Sequence, residues 1–346
     1  MECWRRKKQK EKEKEKEKEK EEARKYFLKN GSVFLKELIA DCNGISNPIR
    51  MFSSDQISKA TNHFDPNCSH PEVPSRYSYL GFTFYKGVIE GRSYVIKCFS
   101  KFWDEDNPYN DIVLSARVSN HIGFLKLMGC CLEFPQPVLV FENLEYRSLN
   151  HRGRVGCWDG PMLPWNVRLK IAKDVATAIT YLHTAFSRII IHRDISANNV
   201  FLDKNGRAKL TDLKFAVTLP EGKSWIKDKV RGNYEYTDPI YRSTGILTEY
   251  SDVYSFGILM LVFLLGKRAV FALSSGVHCH ILDYVKDMRE RGEPVEFGGD
   301  SNDMRPGQMK MFLDLALRCC EERNEDRPKM ILVAKKIKHI ERSLDC

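Results

Sequence analysis

The apolar residues of this 346-residue chain change their period near Leu144, and that change limits the folds open to it. Before it, short runs alternate as strands do, at Tyr77 to Phe84, Ser93 to Cys98, Leu125 to Leu132 and Val138 to Phe141. After it the spacing is helical, at Val167 to His183, Ser251 to Leu265, Ile281 to Arg291, Gln308 to Cys320 and Lys329 to Ser343. A strand-rich part followed by a helix-rich part predicts an α+β architecture of two lobes with a cleft between them. The lobes are expected over 75–143 and 144–346.

Upstream, Phe27, Leu28, Phe34, Leu35, Leu38 and Ile39 form one helical face, and Phe52 to Phe64 forms another behind Ser53 or Ser54 as N-cap. These place a helical extension over 27–74, with Asp65 to Pro74 as a loop rich in Pro, Asn and Ser. Residues 1–26 form a charged arm in which Lys and Glu alternate from Lys10 to Glu22. In a helix this brings opposite charges together at i,i+3 but like charges at i,i+4, so a solvated, fraying helix or a disordered arm is expected. The arm carries +4 of the formal net charge of +9, so the basic excess elsewhere is slight and nucleic acid is not an expected partner. Cys3 and the basic run Arg5 to Lys8 are a weak signal for a lipidated membrane contact, and Glu2 excludes N-myristoylation. The ten apolar residues Phe256 to Leu265 are too few to span a bilayer and read as a buried helix. No secretory signal is read after Met1, and the eleven cysteines, two pairs of them adjacent, read as reduced packing thiols of a cytoplasmic protein.

Residues 192 to 203 read His-Arg-Asp-Ile-Ser-Ala-Asn-Asn-Val-Phe-Leu-Asp. By its likeness to a protein-kinase catalytic loop this segment implies Asp194 as the base for a substrate hydroxyl and Asn199, five residues on, as a Mg²⁺ ligand. The segment resembles a protein-kinase catalytic loop, with Ser196 where serine/threonine kinases carry a lysine that neutralises the migrating phosphate. Other motifs fall in register. Tyr94-Val95-Ile96-Lys97 resembles the strand whose lysine, here Lys97, contacts the α- and β-phosphates. Asn110 to Leu114 resembles the helix whose glutamate pairs with that lysine; Asp111 is one methylene shorter, so the pair is expected to be strained or absent unless the helix moves closer. Val138 to Glu142 looks like the nucleotide hinge, with bulky Phe141 at the back of the nucleotide pocket. Asp252 to Gly257 and Asp326-Arg327-Pro328 match structural motifs of the large lobe.

The functional motifs are altered. The three glycines that let backbone approach the phosphates would fall at Tyr77, Tyr79 and Phe82, all aromatic. Thr211 to Phe215 stands where kinases have Asp-Phe-Gly: Asp212 keeps a possible metal ligand and Lys214 replaces the glycine. That lysine either supplies the charge lost at Ser196 or, in the blander reading, is simply solvated. Ile240 replaces a glutamate that would pair with Arg327, which leaves the arginine seeking a partner and predicts a loosened substrate platform. ATP and Mg²⁺ are therefore expected to bind weakly, at a vestigial site of Lys97, Asp111, Glu142, Asn199 and Asp212, with Asn199 and Asp212 as the metal ligands.

The run Ile57 to Phe64 resembles plant receptor-like kinases, and Leu127 to Glu133 the wall-associated branch. Asn30 to Gly44, Leu182 to Phe186 and Leu219 to Ser224 are similar to the HopZ-ETI-deficient-related pseudokinases among the receptor-like cytoplasmic kinases. The resemblance implies a catalytically impaired adaptor, needing no cofactor for that role, that sits on the leucine-rich repeats of a coiled-coil NLR immune receptor. It implies that bacterial effectors are sensed directly or through a recruited cytoplasmic kinase, in the cytoplasm or peripherally at the plasma membrane. The recruitment surface is expected on the activation segment, about Asp212 to Tyr241, at Trp225, Tyr234 and Tyr236. The alternative is an active serine/threonine kinase of the receptor-like cytoplasmic type with Asp194 as its base. His278-Cys279-His280 lacks further ligands nearby and reads as loop rather than a zinc site.

Overall fold

The computed structural model describes residues 2–42, 49–68, 81–99, 107–143, 147–156 and 160–343. The chain forms two compact units, one of Met1–Ser119 with Lys126–Asn143, the other of Asn120–Leu125 with Leu144–Cys346.

The N-terminal unit begins with α1 (Glu2–Cys42), a single helix that runs unbroken through residue 26. Its Lys-Glu side chains are exposed, as their alternation requires. It is held at Asn30, a buried side chain that donates to the carbonyls of Leu132 (2.9 Å) and Phe134 (2.8 Å) and accepts from the Tyr109 hydroxyl at 2.7 Å. Strand β1 (Arg50–Met51) is followed by helix α2 (Ser54–Ala60), which Ser53 starts with a capping box completed by Gln56. Strands β2 (Phe82–Ile89) and β3 (Arg92–Phe99), helix α3 (Pro108–Val118), and strands β4 (Leu127–Cys131) and β5 (Val138–Glu142) complete the unit. The sheet order is β1-β4-β5-β3-β2. Strand β1 pairs parallel with β4 at Gly129, where a Cβ would lie 2.0 Å from the Arg50 carbonyl oxygen, so only glycine permits the approach. Phe52, Ile57, Tyr85, Ile96, Val138 and Val140 fill the core between α2 and the sheet. Tyr77 and Tyr79 lie outside the described residues, as do the side chains of Cys3 and of Arg5 to Lys7.

The C-terminal unit opens with β6 (Arg147–Ser148) and the helix α4 (Trp165–Thr184). Short strands follow: β7 (Ile190–Ile191), β8 (Val200–Leu202), β9 (Ala208–Leu210), β10 (Val217–Thr218) and β11 (Trp225–Lys227). Then come α5 (Pro239–Thr244), β12 (Ile246–Thr248), α6 (Glu249–Leu265), a hairpin of β13 (Val270–Ala272) and β14 (His278–His280), α7 (Ile281–Glu290), α8 (Pro306–Cys319) and α9 (Met330–Arg342). From Phe256 onward helix α6 is apolar on all sides and buried on all sides. Its last carbonyls, at Phe263 and Leu264, accept from the buried Arg168 guanidinium at 2.6 and 3.3 Å, a cation at the negative end of the helix. Burial pulls Arg168 down to about 10. Among the described residues no helix is long and apolar enough to cross a membrane, and no cluster of His, Cys, Asp and Glu could hold a metal. His280 instead caps α7 and bonds the Glu235 carbonyl oxygen at 2.9 Å.

Candidate functional site

Each unit carries its own group of candidate residues. In the N-terminal unit, β3 presents Lys97 and the first turn of α3 presents Asp111. Their side chains meet at 2.7 Å, both fully buried, with Asp111 also accepting from Ser115 at 3.1 Å. The strained or broken pair expected from the shorter acid is therefore not found: α3 lies close enough to supply the missing methylene's length. The Phe82 ring lies over the Lys97 ammonium, 4.2 Å from its centroid, and Phe99 lies 4.9 Å away on β3. Phe82 is edge-on to both Phe84 and Phe99. A position expected to be glycine thus carries an aromatic ring folded onto the phosphate-binding cation, an arrangement that stabilises the ammonium without any phosphate. Glu142 ends β5, where its carboxylate accepts from the Lys126 backbone N–H at 3.2 Å and its own N–H donates to the Lys126 carbonyl.

In the C-terminal unit the catalytic loop is built around Asp252 of α6. This buried carboxylate accepts from the backbone N–H groups of His192 and Arg193, each at 2.8 Å, and contacts His183 Nε2 at 2.9 Å. His192 in turn bonds the Thr211 carbonyl at 3.1 Å, so it supports the loop rather than facing a substrate. Asp194 is held at both oxygens: Oδ2 accepts from Asn199 Nδ2 at 2.9 Å, and Oδ1 from the Asn233 backbone N–H at 2.7 Å. Gly232, at φ +98°, makes room for this approach, since a Cβ there would meet the Arg193 carbonyl oxygen at 2.4 Å. Burial, and then the Asp212 carboxylate, push the Asp194 carboxyl above its ordinary range, against the opposing pull of Lys214, His192 and the Asn233 N–H. The result is an oriented carboxyl group suited to accepting a proton.

Asp212 follows on a backbone with φ +68°, a conformation aspartate tolerates better than most residues. Lys214 is not solvated as the blander expectation had it: the two side chains are 3% and 2% exposed, with Nζ 3.7 Å from Asp212 Oδ2. Ser196, also buried, starts the single turn Ala197–Asn199. Asn199 commits its amide nitrogen to Asp194, through both the carbonyl (2.8 Å) and the carboxylate.

The activation segment is anchored at two points. Arg193 pairs with Asp228 and stacks on Tyr241, 5.5 Å from its centroid. Arg327, expected to need another partner in place of the glutamate absent at Ile240, pairs with Asp238 at 2.9 Å, and also reaches the carbonyls of Glu321 and Tyr250 and the side chain of Asn324. Asp238, two residues before Ile240, has taken over the absent glutamate's charge while capping α5, so the platform is not loosened in the way Ile240 suggested. Of the three aromatic residues expected at a recruitment surface, Trp225 is 51% and Tyr234 67% exposed, but Tyr236 is 3% exposed. Tyr236 belongs to the core: its carbonyl accepts from Ser255 of α6 at 2.8 Å, and no partner can reach its ring.

Protein-kinase domains in general bind ATP with Mg²⁺, and the residues here do not fit that pair in its usual pose. The cation that should meet phosphate is covered by Phe82, and the carboxylate that should meet metal already faces an ammonium. The Protein kinase domain family profile matches residues 83–339. The chain is 52% identical over 338 residues to Serine/threonine-protein kinase ZRK1 of Arabidopsis thaliana, spanning 93% of this chain and 94% of that protein. It is 50% identical over 332 residues to Non-functional pseudokinase ZRK2 (92% and 91%) and 45% over 336 residues to Non-functional pseudokinase ZED1 (92% and 97%), both of the same plant. With one relative named a kinase and two named pseudokinases, likeness alone leaves activity to be argued from the site. The chain belongs to the protein kinase family, and within it to the HopZ-ETI-deficient-related kinases.

Proposed function

We propose that this chain is a catalytically impaired pseudokinase that acts as an adaptor for a coiled-coil NLR receptor in plant immunity to bacterial effectors. The observation that carries the first half is the Phe82 ring lying over Lys97, where a nucleotide's phosphates would have to approach. Loss of one preorganised electrostatic group typically costs about 10²–10³ in kcat, and here the lysine at Ser196 and the glycine at Phe82 are both absent. The relatives named non-functional pseudokinases support the same reading. The adaptor half rests on the family resemblance and on Trp225 and Tyr234, which put two large aromatic side chains into solvent on one activation segment. Exposed aromatics are the residues that most often anchor protein–protein interfaces. A pull-down of the recruited cytoplasmic kinase should succeed with the wild-type chain and fail with Trp225→Ala/Tyr234→Ala. Undiminished capture by that variant would remove the recruitment surface from this segment.

The second reading, a working serine/threonine kinase, is favoured by the intact Lys97–Asp111 pair and by the oriented Asp194. In it Asp194 accepts the proton of the substrate hydroxyl, and Lys214 supplies the positive charge missing at Ser196.

A further inference from the structure

In the C-terminal unit two carboxylates, Asp194 and Asp212, share a site with one lysine. Neighbouring like charges, here with Asp212 buried and Asp194 partly so, need a counter-charge, which in a phosphoryl-transfer site is ordinarily a divalent cation. Here a cation is already present in the chain. Lys214 Nζ stands 3.7 Å from Asp212 Oδ2, with both side chains almost wholly out of water, and lies 4.8 Å from the centroid of the Phe215 ring. The ammonium is thus held between a carboxylate and an aromatic face, in a position fixed by the Asp212 turn (φ +68°) and the following Ala216 N–H to Leu213 carbonyl bond at 3.0 Å.

We propose that Lys214 is a built-in counter-ion for Asp212 that excludes a divalent cation from this site. A Mg²⁺ ion bonded to Oδ2 at roughly 2.1 Å would sit within about 6 Å of the ammonium, given its 3.7 Å separation from the same oxygen. Two cations so close beside one buried carboxylate repel, and Mg²⁺, which keeps several of its waters, would need room for them where the ammonium already stands. The inference concerns the metal alone and stands whether or not the chain is an adaptor.

Thermal unfolding of the purified full chain, with and without millimolar MgCl₂ or MnCl₂, tests it together with Lys214→Met, which keeps the stem and removes the charge. The wild-type midpoint should not move with either metal. Lys214→Met should melt roughly 5 °C or more lower, and Mn²⁺ should restore part of that loss by replacing the lost ammonium beside the Asp212 carboxylate. Asp212→Asn/Lys214→Met should lose less than the two single changes together. A wild-type midpoint that rises with metal as much as the variant's, or strictly additive changes, would overturn the proposal. If Lys214→Met does not fold, electron paramagnetic resonance of Mn²⁺ with the wild-type chain and Asp212→Asn decides. No bound Mn²⁺ beyond the Asp212→Asn background upholds the built-in cation; stoichiometric Mn²⁺ lost in Asp212→Asn refutes it.

Discussion

Replacing Asp238 by alanine should be among the most damaging single changes to the C-terminal unit, although Asp238 touches none of the phosphoryl-transfer residues. Its carboxylate meets Arg327 at 2.9 Å with the two side chains 0% and 1% exposed. Removing one member of such a pair typically costs about 3–5 kcal/mol, because the remaining charge is left buried. Asp238 also accepts from the Ile240 backbone N–H at 3.1 Å as the N-cap of α5, worth about 1 kcal/mol more. Arg327 keeps the carbonyls of Glu321 and Tyr250, the Asn324 side chain and the face of Tyr254 at 5.0 Å, which soften the loss. The net expectation is about 4 kcal/mol, or a fall in melting temperature of roughly 8–16 °C for a unit of this size. Urea unfolding followed by tryptophan fluorescence would read it. Asp238→Ala/Arg327→Met should recover much of the stability, since it leaves no charge unpaired. A cost below about 1 kcal/mol for Asp238→Ala, or a double variant as unstable as the sum of its parts, would refute the claim that Asp238 has replaced the glutamate absent at Ile240.

Three further outcomes follow from the same geometry. Phe82→Gly should uncover Lys97, so that ATP raises the melting temperature of this variant more than that of the wild type; an equal response would mean the ring does not guard the cation. His151 is buried beside Asn198 Nδ2 (3.0 Å), and burial, with the Arg268 charge adding to it, pulls it down to about 4. The folded chain then binds fewer protons than the unfolded one between about pH 6.5 and 4, so stability is full above that window and falls by up to about 3 kcal/mol through it. His151→Gln should flatten this part of the acid-unfolding profile. Asn30→Ala should leave the carbonyls of Leu132 and Phe134 without their donor and speed amide hydrogen exchange along α1 well before the sheet responds.

The larger helices are readable because their apolar residues recur at the helical period over about three turns or more. The spans expected from Val167 and from Ile281 match α4 and α7 within two residues at either end. The first strand of the sheet was harder. Its aromatic run suggests an end near Phe84, yet β2 continues to Ile89 through Gly87, where a Cβ would lie 2.8 Å from the Ala60 carbonyl oxygen. Strand β1 is two residues long and has no pattern of its own; only the absent side chain at Gly129 admits it. At the site, residue identity revealed which charges were lost but not which had replaced them. Asp238 reaches Arg327, and Lys214 reaches Asp212, through the path of the backbone in three dimensions, which spacing along the chain does not encode. The same limit applies to Tyr236, whose neighbours Trp225 and Tyr234 are exposed while it faces α6.

The reading of the site as catalytically impaired rests on what becomes of the ATP γ-phosphate. Single-turnover transfer from labelled ATP by the purified chain, compared with Asp194→Ala, measures that directly. The account predicts no transfer, or a trace equal in both proteins; transfer that disappears on replacing Asp194 would contradict it and make the chain a working kinase.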